Sequence, residues 1–429
     1  MRRALRLTLL LCLFGVSPAC SETVRAVDVS LSADQWQEDL DYLARELPRR
    51  HVRPFGRTSQ ADWNRAVEGL RDDIPKLRSD RVVIELGRLV ALIGDGHTEL
   101  IPFQRGAGFR RLPLVFSFFE SETRIIAVAP GHEALLGARV ISIGGRPIEA
   151  IRDALGDLVA RDNDSELLHS GPEYLATAEV LAALGAGKPT DPFALSVVSE
   201  GGAPEHVTVP ALSQEALSSI RWINARDHTN VEAPLASQNQ SRHYWYRYLE
   251  DHRLLFVKYN RCQDQDGEPT IRRFVKELFV FAEEHPVEKI VLDLRHNPGG
   301  DNKKNSPLVK GAAKWTLSNP DGRLFVLTGR MTFSAAVDAV IHLDHEAGAI
   351  LVGAPPRGKP NTLGDVETLV LPRSGLRVDY STREYERMPE LADAAYLPID
   401  VPTSQRWADF VAGRDLALQA VIEFDSGRD

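Results

Sequence analysis

The sequence predicts an α/β protein with a helical N-terminal unit, a β-rich middle region carrying a few helices, and a C-terminal α/β core. Three observations predict it. Apolar residues recur at steps of three and four between positions 32 and 93. Short strand-like runs divided by turn residues fill 106 to 211. From residue 254 onward, apolar strands alternate with helical patterns. The chain has 429 residues, 43% hydrophobic and 26% charged, which excludes a disordered, collagenous or coiled-coil protein. We divide it into a leader (1–21), a helical unit (22–105), a β-rich middle (106–235) and the core (236–429).

The leader reads as a secretory signal peptide. Arg2, Arg3 and Arg6 precede the apolar run Leu7 to Val16, and Ser17-Pro18-Ala19 supplies small residues before Cys20. Its removal leaves the mature chain three charges more acidic than the −9 of the whole. A bacterial periplasm or cell envelope is the expected setting. Cys20 is a candidate lipid anchor, although Ser17 stands where an apolar residue is expected for lipidation. No later segment suits a membrane span. The excess of 60 Asp+Glu over 51 Lys+Arg argues against a nucleic-acid partner, and three cysteines cannot build a disulfide framework.

The helical unit begins with a capping box, Ser32 with Gln35, followed by Trp36, Leu40, Leu43 and Leu47 on one face. Ser59 caps a second helix with Trp63, Val67, Leu70 and Ile74. Asp80 precedes a third, which stops at Gly94-Asp95-Gly96 and leaves His97 just past its end. In the middle region, Leu112 to Phe119, Arg124 to Val128 and Arg139 to Ile143 read as strands. Helices follow near 147–160 and 173–185, then a hairpin about Gly201-Gly202. Residues 226–242 are polar and aperiodic and read as a linker. The core alternates: strand 254–259, a helix bearing Ile271, Val275, Leu278 and Ala282, strand 290–294, a helix after Asn305, strand 324–327, a helix from Ser334, and strand 350–352.

Two loops directly after core strands carry candidate chemistry, "LDLRHNPGGD" (292–301) and "LTGRMTFSAAVDAV" (327–340). Open α/β sheets place their sites at the carboxyl ends of strands. Gly299-Gly300 offers bare amides, and Ser334 opens a helix whose free amides favour developing negative charge. A serine at such a turn facing a glycine loop suits a nucleophile with an oxyanion hole. On residue type alone, a plain N-cap and a plain tight turn explain the same residues.

The run "VLDLRHNPGGD", "TFSAAVDAV", "LVGAPPRGKPNTLGD" resembles the tail-specific, or C-terminal processing, serine peptidase family. The upstream "LVALIGDGHTEL", with "LPLVFSFFE", "LLGARVISIGGRPIEAI" and "FVKYNRCQD", resembles the histidine-using branch that includes tricorn-like peptidases and the repeats of interphotoreceptor retinoid-binding protein. The resemblance implies a crotonase-like (ββα) core and a partly PDZ-like middle region. It implies Ser334 as nucleophile, with the oxyanion held by the Ala335 amide and that of Gly299 or Gly300. "LLGARVISIGG" is similar to the second half of a PDZ domain, without a clear carboxylate-binding loop.

The base is open between two residues. The histidine branch implies His97, which the pKa of imidazole favours. Lys359 follows Ser334 by 25 residues, the spacing of the base in the serine/lysine branch, and would need a lowered pKa. The branch also implies a glutamate that orients the base. Glu384, Glu386 and Glu390 are the candidates, and Glu390 stands nearest the expected place. His342 and His345 share a helix face without a third ligand, so no metal is indicated. No nucleotide motif and no cofactor are indicated either. The expected function is an exported serine endopeptidase acting on peptide or unfolded protein. The alternative is a non-catalytic binding protein for an apolar ligand or peptide on the same fold.

Overall fold

The computed structural model describes residues 27–424 except 102, 105, 229 and 230, so the predicted leader and Cys20 lie outside the described residues. The three N-terminal helices are Ala33–Arg50, Gln60–Asp73 and Ser79–Ala91. The capping box at Ser32 forms as the sequence predicts. Trp36, Leu40, Leu43 and Leu47 form the buried stripe of the first helix.

The middle strands Leu114–Phe118, Thr123–Val128, Arg139–Ile143, Phe193–Val198 and Pro204–Val209 lie side by side, antiparallel throughout. The helix expected near 173–185 is instead two, Asp164–Ala176 and Ala178–Ala183, divided at Thr177. Gly171-Pro172, just ahead of the expected start, lies inside the first of these. That helix begins earlier because the Asn163 side chain caps it. Gly171 also lets it press onto the middle sheet: a Cβ there would come 2.7 Å from the ring of Phe118.

The core sheet has six strands in the order Tyr244–Leu249, Leu254–Tyr259, Lys289–Asp293, Arg323–Thr328, Ile350–Gly353 and Val401–Pro402. The first pair is antiparallel and the rest are parallel. Helices Ile271–Glu284, Ser306–Ser318 and Ala335–Ala347 cover one face, and Leu416–Glu423 packs on the other. All six residues of Leu254–Tyr259 are buried, which explains its apolar character, and the one charged residue among them, Lys258, pairs with Asp293 at 3.1 Å.

The long hairpin Thr362–Val370 with Arg377–Tyr385 has no counterpart in the sequence reading, and neither have the strands Tyr244–Leu249 and Val401–Pro402 or the helix Leu416–Glu423. The hairpin leaves the core and buries Leu369, Leu371, Leu376, Val378 and Tyr380 in the apolar cluster of the first two regions. At its tip, the amides of Arg373 and Ser374 donate to Asp39 of the first helix at 2.7 and 2.8 Å. The hairpin thereby clasps the N-terminal helices to the core.

Candidate active site

The strand Arg323–Thr328 ends in a tight turn in which the Thr332 amide donates to Gly329 O and the Gly329 amide to Thr332 Oγ1. Thr332 Oγ1 also donates to Leu294 O at 2.9 Å, and the Phe333 amide to Asn297 O at 3.0 Å. These bonds lock the turn to the glycine loop. Ser334 follows with φ 53° and ψ −126°, a backbone state that L side chains rarely adopt. Its side chain makes no cap hydrogen bond to the helix Ala335–Ala347, so the plain N-cap role is not what holds it there. Asn305 fixes the helix start by donating to Ala335 O at 2.7 Å.

The glycine loop lies against this elbow. A Cβ on Gly299 would come 2.8 Å from Ser334 Cβ and 3.1 Å from the Ala335 amide nitrogen. Gly299 (φ 106°) therefore serves close approach. Its amide is already spent on Asn297 Oδ1 at 2.9 Å. Gly300 differs. In its bridge to Cys262, the neighbours on either side carry the bonds: Cys262 N to Gly299 O, and Asp301 N to Cys262 O. The Gly300 amide points the other way and, among the described residues, has no partner, and neither has that of Ala335. The donor left over from the "NPGG" turn is thus Gly300 rather than Gly299.

His97 comes from more than 230 residues earlier in the chain. Its ring stacks on Phe333, the neighbour of Ser334, with centroids 4.1 Å apart and planes 22° apart. On Phe333 also sits the Arg357 guanidinium, 4.2 Å from the ring centre and paired with buried Glu166. The His97 turn is held by Asp95. Asp95 accepts from the His97 amide at 3.1 Å, Thr98 Oγ1 at 2.5 Å, Ser381 Oγ at 2.6 Å and His51 Nε2 at 3.2 Å. Burial alone would raise the Asp95 pKa, but the bonds from His51, Ser381 and Thr98 and the nearby His97 hold it far below the usual carboxylate range. Burial lowers the pKa of His97, Asp95 opposes this, and Arg357 adds to the lowering, so the imidazole is neutral near pH 7. Both its ring nitrogens are buried and without a hydrogen bond.

Asp162, which no sequence signal marked, completes this corner. It precedes the Asn163 cap, is 5% exposed, and accepts from the Gly96 amide at 3.2 Å through Oδ1. Its Oδ2 has no partner. Burial and the charge of Asp95 push its pKa up to about 7 against the opposing pull of Lys359. One atom from each of Asp95, His97 and Asp162 lies within 4.8 Å of the others. The cluster differs from the sequence reading, in which no metal-competent group appeared. Asp95 already serves four donors, so its oxygens hold the turn.

Of the other predicted residues, Lys359 borders the same corner, its Nζ 4.0 Å from Asp162 Oδ1. Its side chain is 34% exposed. Glu390 lies exposed in the short turn Pro389–Leu391 and makes no hydrogen bond or ion pair with a described residue. Glu384 pairs with Arg53 at 2.6 Å, and Glu386 is exposed. His342 is engaged by Asp338 and Glu346 on its own helix.

The class these features define is a mixed α/β fold with a strained serine between two free amides and a buried histidine beside it. Its architecture matches solved structures. Mature CPAF complexed with lactacystin is 13% identical, with a TM-score of 0.64, over 91% of this chain and 98% of that one. A serine-to-alanine variant of CPAF is 12% identical, with a TM-score of 0.64, over 92% and 99%. The photosystem II D1 C-terminal processing protease is a looser match, 13% identical with a TM-score of 0.38, over 86% and 93%. The shared fold is read from the two CPAF structures. No protein-family model matches the sequence, and no curated protein matches it either. No helix among the described residues is long and apolar enough to cross a membrane.

Proposed function

We propose that the chain is a serine peptidase of the tail-specific type, with a crotonase-like core, acting through an acyl-enzyme on Ser334. The observation that carries this reading is the elbow: a serine forced to φ 53° beside two unpartnered amides, Gly300 and Ala335. A helix N-cap needs neither the strain nor the second amide. Ser334 Oγ attacks the scissile carbonyl carbon while neutral His97 takes its proton. The oxyanion is held by the two amides. Collapse of the tetrahedral intermediate breaks the C–N bond, and His97 returns the proton to the leaving amine. Water, deprotonated by the same imidazole, then hydrolyses the ester and regenerates Ser334.

His97 is the base in this reading, because it stacks on the residue next to Ser334 and is uncharged near neutral pH. The substrate is peptide or unfolded protein. Residues 1–21 direct export to the periplasm or envelope, and Cys20 is the position for a lipid anchor. The three-part division at residues 105 and 235 belongs to the same reading.

Hydrolysis of a quenched-fluorescent unfolded protein by the full chain tests it. Wild type should turn the substrate over, and Ser334→Ala should not, with the fold unchanged by circular dichroism. Equal turnover by both would remove Ser334 from the chemistry. Binding of that substrate by wild type without any cleavage would favour the binding-protein alternative.

A further inference from the structure

The predicted orienting acid, Glu390, is exposed and engages no described residue, while a different carboxylate stands beside the histidine. We propose that Asp162 is the positioning residue of His97: its free Oδ2 takes the imidazole N–H and turns the other ring nitrogen toward Ser334. The inference rests on the peptidase reading above and deepens it.

Four observations carry it. Asp162 Oδ1 is anchored by the amide of Gly96, the residue next to His97, so the carboxylate is tied to the turn it serves. Asp162 Oδ2 and both His97 ring nitrogens are buried and without partners, and one carboxylate oxygen of Asp162 lies within 4.8 Å of one of those ring nitrogens. A gap of that size closes with one bridging water or a small side-chain rotation, as catalytic hydrogen bonds do when substrate arrives. Asp95 is the nearer carboxylate by sequence, but its Oδ1 is 4.0 Å from His97 Nδ1 and the group is spent on four donors. Lys359 then acquires a role without being the base: its ammonium, 4.0 Å from Asp162, favours the ionised carboxylate.

The charged and titratable groups facing the pair are Asp95 and His51 from the His97 turn and first helix, Glu166 from the helix after Asp162, Arg357 and Lys359 from the loop beyond Ile350–Gly353, and Asp365 from the hairpin. In the working form Asp162 is ionised and His97 is neutral. Protonated Asp162 cannot accept the imidazole N–H, so activity is lost as pH falls and Asp162 takes up its proton. Its pKa, pushed up to about 7 by burial and Asp95, places the acid limb near neutrality.

Steady-state kinetics of full-length wild type, Asp162→Asn, Lys359→Met and Glu390→Gln across pH 5–9 test this. Asp162→Asn keeps an acceptor for the Gly96 amide. It should lower kcat on the order of ten-thousandfold with little change in KM, as loss of the aspartate behind a catalytic histidine does. Its acid limb should move to lower pH, because His97 loses a stabilising negative charge. Lys359→Met should move the limb to higher pH and retain turnover on the alkaline side. Glu390→Gln should match wild type. Imidazole NMR gives a readout independent of turnover: the His97 titration should fall in pH in Asp162→Asn. Wild-type kcat and an unmoved limb in folded Asp162→Asn would overturn the inference, as would the loss and shift appearing in Glu390→Gln instead. If Ser334→Ala and His97→Ala are inactive while Asp162→Asn is normal, the peptidase reading stands and this inference falls. If wild type itself hydrolyses nothing, the peptidase reading falls, and an unshifted His97 titration in Asp162→Asn overturns the inference as well.

Discussion

The Ser334 elbow and the His97 turn meet through the stacked rings of Phe333 and His97, yet they are built in opposite ways. The elbow is local. Two loops from neighbouring parallel strands, Lys289–Asp293 and Arg323–Thr328, are tied through the side chains of Asn297 and Thr332 and the Phe333 amide, and these bonds hold the strained Ser334 in place. The His97 turn is assembled at long range. Its hub, Asp95, is held by His51 from the end of the first helix and by Ser381 from the C-terminal hairpin. The hairpin strand also pairs with the turn directly, Glu99 and Asp379 exchanging amide bonds at 3.0 and 2.9 Å. The comparison teaches that the proposed nucleophile is positioned by sheet topology, while the proposed base depends on a clasp that runs outside the sheet. The two halves should therefore fail differently.

The largest stability effect should come from cutting the clasp at its hub. Asp95→Ala leaves His51, Thr98 and Ser381 without their common acceptor. It should cost about 3–5 kcal/mol, as breaking a buried charged network does. The same group sets an acid dependence. Its folded pKa is depressed below the ordinary 3.8, so its contribution is present above that value and disappears as pH falls through and below it. Urea melts at pH 3 and pH 7 should show that acid-sensitive component in wild type and not in Asp95→Ala.

At the elbow, Gly299→Ala should remove activity at a smaller stability cost of about 1–3 kcal/mol, since its Cβ meets Ser334 Cβ and Phe333 O within 2.9 Å. Thermal melts with turnover assays on the same preparation would separate the two effects. A variant as active as wild type would show that the elbow tolerates displacement.

Asp162→Asn should do the reverse of a structural loss. A buried carboxylate whose pKa is raised to about 7 opposes folding increasingly as pH rises from its ordinary 3.8 to that value, and fully above it. At pH 8 the variant should melt on the order of a few degrees higher than wild type, while at pH 4 the two should coincide. Differential scanning calorimetry at both pH values checks this. The smallest effect should come from Ser381→Ala, which removes one of four donors to Asp95. It should cost about 1 kcal/mol, measured by urea titration, and lower kcat modestly through a looser His97.

These contrasts also explain what the sequence made legible. The elbow could be read because its parts lie in two short runs after recognisable strands, and glycine pairs and a serine before a helix are local signals. The N-terminal helices were legible for the same reason, as the capping box at Ser32 shows. Asp162 carried no such signal: it is one acid among several in "RDNDSE", and only burial and the Gly96 amide single it out. The hairpin 362–385 was missed because its strands mix buried and exposed positions irregularly and it packs on elements more than 270 residues away in sequence. Glu390 stands nearest the place that the resemblance expects for an orienting acid, and in the structure it lies exposed in the turn Pro389–Leu391.

The central claim is that Ser334 is an activated nucleophile with His97 as its base. Covalent labelling with a fluorophosphonate, followed by intact mass and peptide mapping, tests it most directly. The account predicts one adduct per chain, on Ser334, absent in Ser334→Ala and formed on the order of a hundredfold more slowly in His97→Ala. No adduct on folded wild type, or an adduct that persists in Ser334→Ala, would contradict it.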